Sequence, residues 1–142
     1  MKSWRRLAFL CTLLLFIFTC TASAKAANWV FVSRGHFPGT PNSNFSLYVD
    51  VNNVLGSSDD MDFWVWYKYD KVQPDNVQWL VEQIWYQEDK KGPFYVVWES
   101  KWYDSNNNLI DYSDEPSYPY DLQPGDLIYD CALLAKKHLS PR

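Results

Sequence analysis

Phe63-Trp64-Val65-Trp66-Tyr67-Lys68-Tyr69 is the stretch on which the fold turns. Aromatic and β-branched residues fill a pleated surface well, and no glycine or proline interrupts the run, so it predicts a strand. Alternation sends Phe63, Val65, Tyr67 and Tyr69 to one face and Trp64, Trp66 and Lys68 to the other. Both faces carry rings, the pattern of a strand that is central in its sheet or covered on its second side.

Working outward, similar runs recur at short intervals. Upstream, Trp29 to Ser33 reads as a first strand, and Phe45 to Val51 as a second whose Phe45, Leu47 and Val49 share one face. The loop between them carries the turn signals Pro38-Gly39 and Pro41-Asn42, and Gly56 to Asp60 reads as a polar turn. Downstream of Pro74, Val77 to Glu88 has helical propensity, but its flanking turn residues and its Trp79 and Trp85 favour a strand. Asp89-Lys90-Lys91-Gly92 predicts a hairpin into Phe94 to Tyr103. Strict alternation there places Val96, Trp98, Ser100 and Trp102 on one face. Asp104-Ser105-Asn106-Asn107-Asn108 predicts the next turn, into Leu109 to Tyr112.

Only the C-terminal stretch has helical spacing. Asp126 stands as N-cap before Leu127 to Leu139, where Leu127, Ile128, Cys131, Leu134 and Leu139 mostly share a face, with Lys136, Lys137 and His138 at the end that the helix dipole favours for cations. A helix with one apolar stripe and a sheet with one face to cover satisfy each other. The expectation is an α+β domain: a small antiparallel sheet of about six strands with one C-terminal helix packed on it.

Residues 1–26 read as a cleaved signal peptide: Lys2, Arg5 and Arg6 precede an apolar run from Leu7 to Phe18, and Ala22-Ser23-Ala24 and Ala24-Lys25-Ala26 each offer a cleavage site, of which the second, ending at Ala26, is favoured. The run is shorter than the ~20 residues of a membrane span. A lipoprotein route through Cys20 is disfavoured by the bulky Thr19 before it. Residues 27–142 then form a single domain with no transmembrane segment, exported to the medium, the cell surface or the periplasm. Four of the thirteen basic residues leave with the leader, so nine face seventeen acidic ones, a formal charge of −8. Such a surface repels phosphate backbones, which excludes nucleic acid as a partner. Cys131 is then the sole cysteine, which rules out an intramolecular disulfide and a cysteine-based zinc site, and it is read as buried and inert.

The inventory for catalysis is thin. His36 and His138 have no apparent partner, and Asp59, Asp60, Asp62, Asp114 and Glu115 lie in turn-like polar stretches where solvated acids are ordinary. Asp104, Asn106, Asn108 and Glu115 match EF-hand spacing, but Leu109 stands where that loop requires glycine, and strands flank it on both sides. Asn44-Phe45-Ser46 matches a glycosylation acceptor, which matters only in a host that glycosylates. The reading is therefore non-enzymatic, with no metal and no cofactor. Seven of the eight tryptophans follow the leader. Most of these are expected in the core, with Trp66 and Trp102 the candidates for an exposed patch that binds protein or glycan.

In this order, Trp29-Val30, Tyr48-Val49-Asp50, Trp64-Val65-Trp66, the hairpin from Tyr103-Asp104 to Leu109-Ile110, and Pro124-Gly125-Asp126 ahead of a helix containing Cys131 resemble the surface-adhesin protein E-like domain of bacterial exported proteins. The resemblance runs from about Trp29 to Leu134. It implies a small antiparallel sheet with a helix, and adhesion to host matrix and plasma proteins. Two departures stand out: in that family the helix cysteine is tied to the sheet by a disulfide, and its members are lipid-anchored. The expected function is an exported adhesin-like binding module. The alternatives are an envelope-associated structural protein of the periplasm and a carbohydrate-binding module using exposed tryptophan.

Overall fold

The computed structural model describes residues 25–142; the leader predicted over residues 1–26 lies, but for its last two residues, outside the described residues. The strands are β1 (Trp29–Gly35), β2 (Phe45–Asp50), β3 (Leu55–Ser57), β4 (Asp60–Tyr69), β5 (Trp79–Asp89), β6 (Gly92–Tyr103), β7 (Leu109–Ser113) and β8 (Tyr120–Asp121). They form one antiparallel sheet in the order β1-β2-β4-β5-β6-β7, with β3 paired to β4 and β8 to β6. Among the described residues one α-helix, α1 (Leu127–Ala135), follows, and Lys136–His138 continues it as a 3₁₀ turn. Among the described residues no helix is long and apolar enough to cross a membrane.

The α+β architecture and the C-terminal helix are as expected, but the sheet has eight strands rather than about six. The two additional ones are short. β3 turns part of the predicted Gly56–Asp60 loop into a hairpin with β4, and β8 pairs with Phe94 and Tyr95 from the segment between β7 and the helix, after Pro116 and Pro119.

Alternation sorts the central strands cleanly. Phe45, Leu47 and Val49 of β2, Met61, Phe63, Val65, Tyr67 and Tyr69 of β4, and Leu80, Ile84 and Tyr86 of β5 are buried on one face. The helix lays Ile128, Cys131, Ala132 and Ala135 on them, closing one core. Each fully buried Phe, Leu or Ile contributes about 1.5–3 kcal/mol. Gly35, at the end of β1, passes so close under the helix that a Cβ there would lie 2.5 Å from Leu127 Cδ1 and 2.8 Å from Phe45 Cζ.

Two local expectations are corrected. β6 does not alternate strictly: Gln83 pairs with Glu99 while Ile84 pairs with Val97, so Trp98 is an extra, bulged residue. Tyr95 and Val97 before the bulge, and Ser100 and Trp102 after it, therefore share the helix-covered face, whereas Val96 and Trp98 belong to the other. Asp126 occupies the N-cap position but does not cap with its side chain; its carboxylate accepts from Gln123 N at 2.7 Å, holding the turn before the helix. At the far end, Lys136 Nζ donates to Glu88 Oε2 at 2.9 Å and to the Tyr86 hydroxyl at 3.1 Å, pinning the helix terminus to β5.

Candidate functional site

The helix covers one face of the sheet, and the other carries rings from strand to strand. Register puts them together: Tyr48 lies opposite Trp66, Trp66 opposite Val81, and Lys68 opposite Trp79. Trp66 sits at the centre, with ring centroids 5.0 Å from Tyr48, 5.6 Å from Trp29 and 5.9 Å from Trp79. The tilted and edge-to-face geometries suit the ring quadrupoles and add about 0.5–1.5 kcal/mol per pair. Four half-buried indoles, Trp29, Trp64, Trp66 and Trp79, thus floor an open groove of about 700 Å³. That volume is ordinary for a ligand site.

Charged groups around the groove are mostly engaged. Lys101 Nζ stands 5.0 Å from the Trp64 centroid and 2.6 Å from Glu99 Oε1, and Lys68 Nζ stands 5.7 Å from the Trp79 centroid. Asp50, buried at the groove edge, accepts from Asn28 N at 2.9 Å, Asn52 N at 3.1 Å and Asn53 Nδ2 at 2.6 Å. Asp62 pairs with Arg142 Nη2 at 2.9 Å, and removal from water pushes its carboxyl up. Asp60 beside it accepts from Trp85 Nε1 at 2.9 Å, and that bond, helped by Arg142, holds it below the usual carboxylate range. One polar group is unmatched: Trp79 Nε1 is buried with no hydrogen-bond partner among the described residues.

The structure separates the two tryptophan candidates. Trp66 is the centre of the groove. Trp102 lies opposite Leu80, on the helix-covered face, where it packs against the core and borders a smaller depression of about 410 Å³ with Tyr69, Val77 and Ile110. Trp29, Trp64 and Trp79 were not singled out from the sequence, because their convergence depends on pairing between distant strands. The alternation of β4 did place Trp64 beside Trp66.

Of the residues considered for catalysis and ion binding, Asp60 and Asp62 lie in β4 rather than in a turn and share Arg142, and the rest are dispersed. His36 and His138 are exposed in separate segments, as are Asp114 and Glu115 beyond β7. Asp59 accepts from the Ser57 and Ser58 hydroxyls at 3.3 and 3.2 Å in the β3–β4 turn. Asp104 turns its carboxylate onto its own loop, accepting from Asn106 N at 2.8 Å, Asn108 N at 2.9 Å and Asn108 Nδ2 at 3.0 Å. These bonds close the β6–β7 hairpin, with Asn107 at φ 63°. Among the described residues no three His, Cys, Asp or Glu gather as a metal site.

A carboxylate that sequence reasoning missed lies beneath the sheet. Glu82 faces Val65 and Ser100 on the core side and accepts from the Ser100 hydroxyl at 3.4 Å. Burial pushes it up to about 7, against the opposing effect of hydrogen bonds from Tyr67 and Ser100. The sequence signal was its parity with Leu80, Ile84 and Tyr86.

Comparison of the chain with protein-family models, with curated proteins and with solved structures yields no match.

Proposed function

We propose that this chain is an exported, non-enzymatic binding protein of adhesin-like role, and that it meets a host or extracellular macromolecule through the groove on the uncovered face of the sheet. The observation that carries this reading is the convergence of Trp29, Trp66 and Trp79, from three different strands, on one open floor. Tryptophan is costly to leave near water and is concentrated where proteins bind partners. The signal-like leader over residues 1–26, the −8 charge of the remainder and the resemblance to adhesin E-like domains support export and adhesion. The absence of catalysis is supported by the acids around the groove, which are engaged with Arg142, Trp85 and backbone donors.

The test has two arms. Cells making the protein are fractionated, with protease accessibility on intact cells and the mass of the mature N-terminus. The purified protein is then applied to immobilised extracellular-matrix and plasma proteins, beside its Trp66→Ala and Trp98→Ala variants. A surface-exposed or released product that binds saturably, loses binding with Trp66→Ala and keeps it with Trp98→Ala is expected. A protease-protected product that binds none of them overturns adhesion and leaves the envelope-associated role.

A further inference from the structure

The groove's chemistry also selects a ligand class, an inference that rests on the groove being the binding face. Most of its charges are already matched. The ring of Trp79 carries Lys68 and the ring of Trp64 carries Lys101, so a cationic ligand meets like charge where its aromatic contacts would form. Asp50 is saturated by Asn28, Asn52 and Asn53, and Asp62 is paired with Arg142. Lys101 is bridged to Glu99, so the counter-charge left to an anionic ligand is the exposed Lys68, which is not part of the groove lining. Lys25, at the rim, is exposed to solvent and departs with the leader when cleavage follows Ala26.

The floor also disfavours an extended peptide. Its centre, Trp64, Trp66 and Trp79, stands on β4 and β5 inside the sheet, whose backbone donors and acceptors are consumed by the ladder; strand addition requires a free edge, and of the four indoles Trp29 alone lies on an edge strand, β1, at the groove's border. What remains is indole surface fringed by the neutral side chains of Gln83, Tyr103 and Asn107. A ligand complementary to this is apolar on its faces, rich in oxygen at its edges and uncharged.

We propose that the groove binds a neutral oligosaccharide. A pyranose ring presents a patch of C–H bonds that packs on the electron-rich face of an indole, and its equatorial hydroxyls and ring oxygen project sideways. Stacked over Trp66 and the neighbouring indoles, such a chain directs hydroxyls to Gln83 and Asn107.

The experiment titrates the purified protein with cellohexaose, chitohexaose, xylohexaose and mannohexaose, following tryptophan emission and calorimetric heat. A heparin hexasaccharide and a gelatin digest serve as charged-glycan and peptide probes. Saturable binding of at least one neutral hexasaccharide at or below about 1 mM is expected, weakened about tenfold or more by Trp66→Ala and by Trp79→Ala and unchanged by Trp98→Ala. Circular dichroism checks each variant, and Trp66→Phe, which keeps a ring, replaces any alanine variant that does not fold and is expected to bind several-fold more weakly than the parent. No response to any of the four neutral sugars, a response indifferent to the Trp66 variants, or binding of the heparin or peptide probe alone overturns the proposal. Matrix-protein binding that Trp66→Ala abolishes but no oligosaccharide competes would remove the glycan assignment and leave the adhesin reading standing. Glycan binding without matrix-protein binding would do the reverse.

Discussion

Trp79 meets Trp66 edge to face, with 5.9 Å between ring centroids and 64° between ring planes, and its own Nε1–H is buried with no acceptor among the described residues. An unsatisfied buried donor costs about 1–3 kcal/mol, so this indole is held by its carbon surface against an opposing polar penalty. Trp79→Phe keeps a ring in contact with Trp66 and removes the donor. Its unfolding free energy is expected within about 1 kcal/mol of the parent, whereas Trp66→Ala, which loses contacts to Trp29, Tyr48 and Trp79, costs about 2–3 kcal/mol. Denaturant titration of both variants checks this; an equal loss in the two would mean that the Trp79 donor is satisfied in solution.

The β3–β4 hairpin depends on Gly56, whose φ is +122° and where an added Cβ would lie 2.2 Å from Asp60 O. The obstacle is backbone and cannot rotate away. Gly56→Ala is expected to destabilise by more than about 2 kcal/mol. Gly92→Ala separates strain from collision, since Gly92 has a similar φ of +126° but open space around its Cβ position; its cost should stay near about 1 kcal/mol. Thermal unfolding of the pair decides the matter, and equal losses would remove the steric account.

Cys131 is fully buried between helix and sheet, and desolvation, with Asp130 adding to it, pushes its thiol well above the ordinary range. Since the thiolate is the reactive form, Cys131 should resist alkylation in the native protein and react promptly in denaturant, as peptide mapping of the labelled chain would show. Cys131→Ser, which buries a hydroxyl in that site, should cost about 1–3 kcal/mol. Rapid labelling of the native chain would contradict the buried packing. The helix is thus held by Ile128, Cys131, Ala132 and Ala135 against the core rather than by the disulfide that the adhesin resemblance implies.

Which parts of this were legible beforehand follows from how local each signal is. The inward sets of β2 and β4 could be read from alternation because nothing interrupts their pleat. The parity of β6 could not, because the extra residue Trp98 changes neither composition nor hydrophobic content; it shows only in the pairing of Gln83 with Glu99 and Ile84 with Val97. That shift carries Trp102 to the helix side and leaves Trp66 alone of the two candidates in the groove. β3 and β8 are three and two residues long, too short for any periodicity to register. Trp79 joins Trp66 through the register of the consecutive strands β4 and β5, and Trp29 through the distant strand β1, neither of which is contained in the alternation of one strand.

Glu82 makes the domain's stability depend on pH in a direction opposite to that of an ordinary paired carboxylate. Burial raises it in the folded protein from 4.5 to about 7, while the unfolded chain keeps the lower value. Between these two values the folded state holds a proton that the unfolded state has released, so stability falls as pH rises through the window. The contribution is fully present below about pH 4.5 and gone above about pH 7, with a span of at most about 3 kcal/mol. Asp62, also pushed up by burial, adds a dependence of the same sign, whereas the acids held below their usual range, Asp60, Glu88 and Asp104, act under more acidic conditions. Unfolding of the parent should therefore require less denaturant at pH 8 than at pH 5. Glu82→Gln, which keeps a hydrogen-bonding group of the same shape beside Ser100 and Tyr67, should flatten that dependence and raise the midpoint at pH 8. A parent curve that rises from pH 5 to pH 8, or a Glu82→Gln curve that keeps the parent's slope, would show that Glu82 is ionised beneath the sheet at no cost.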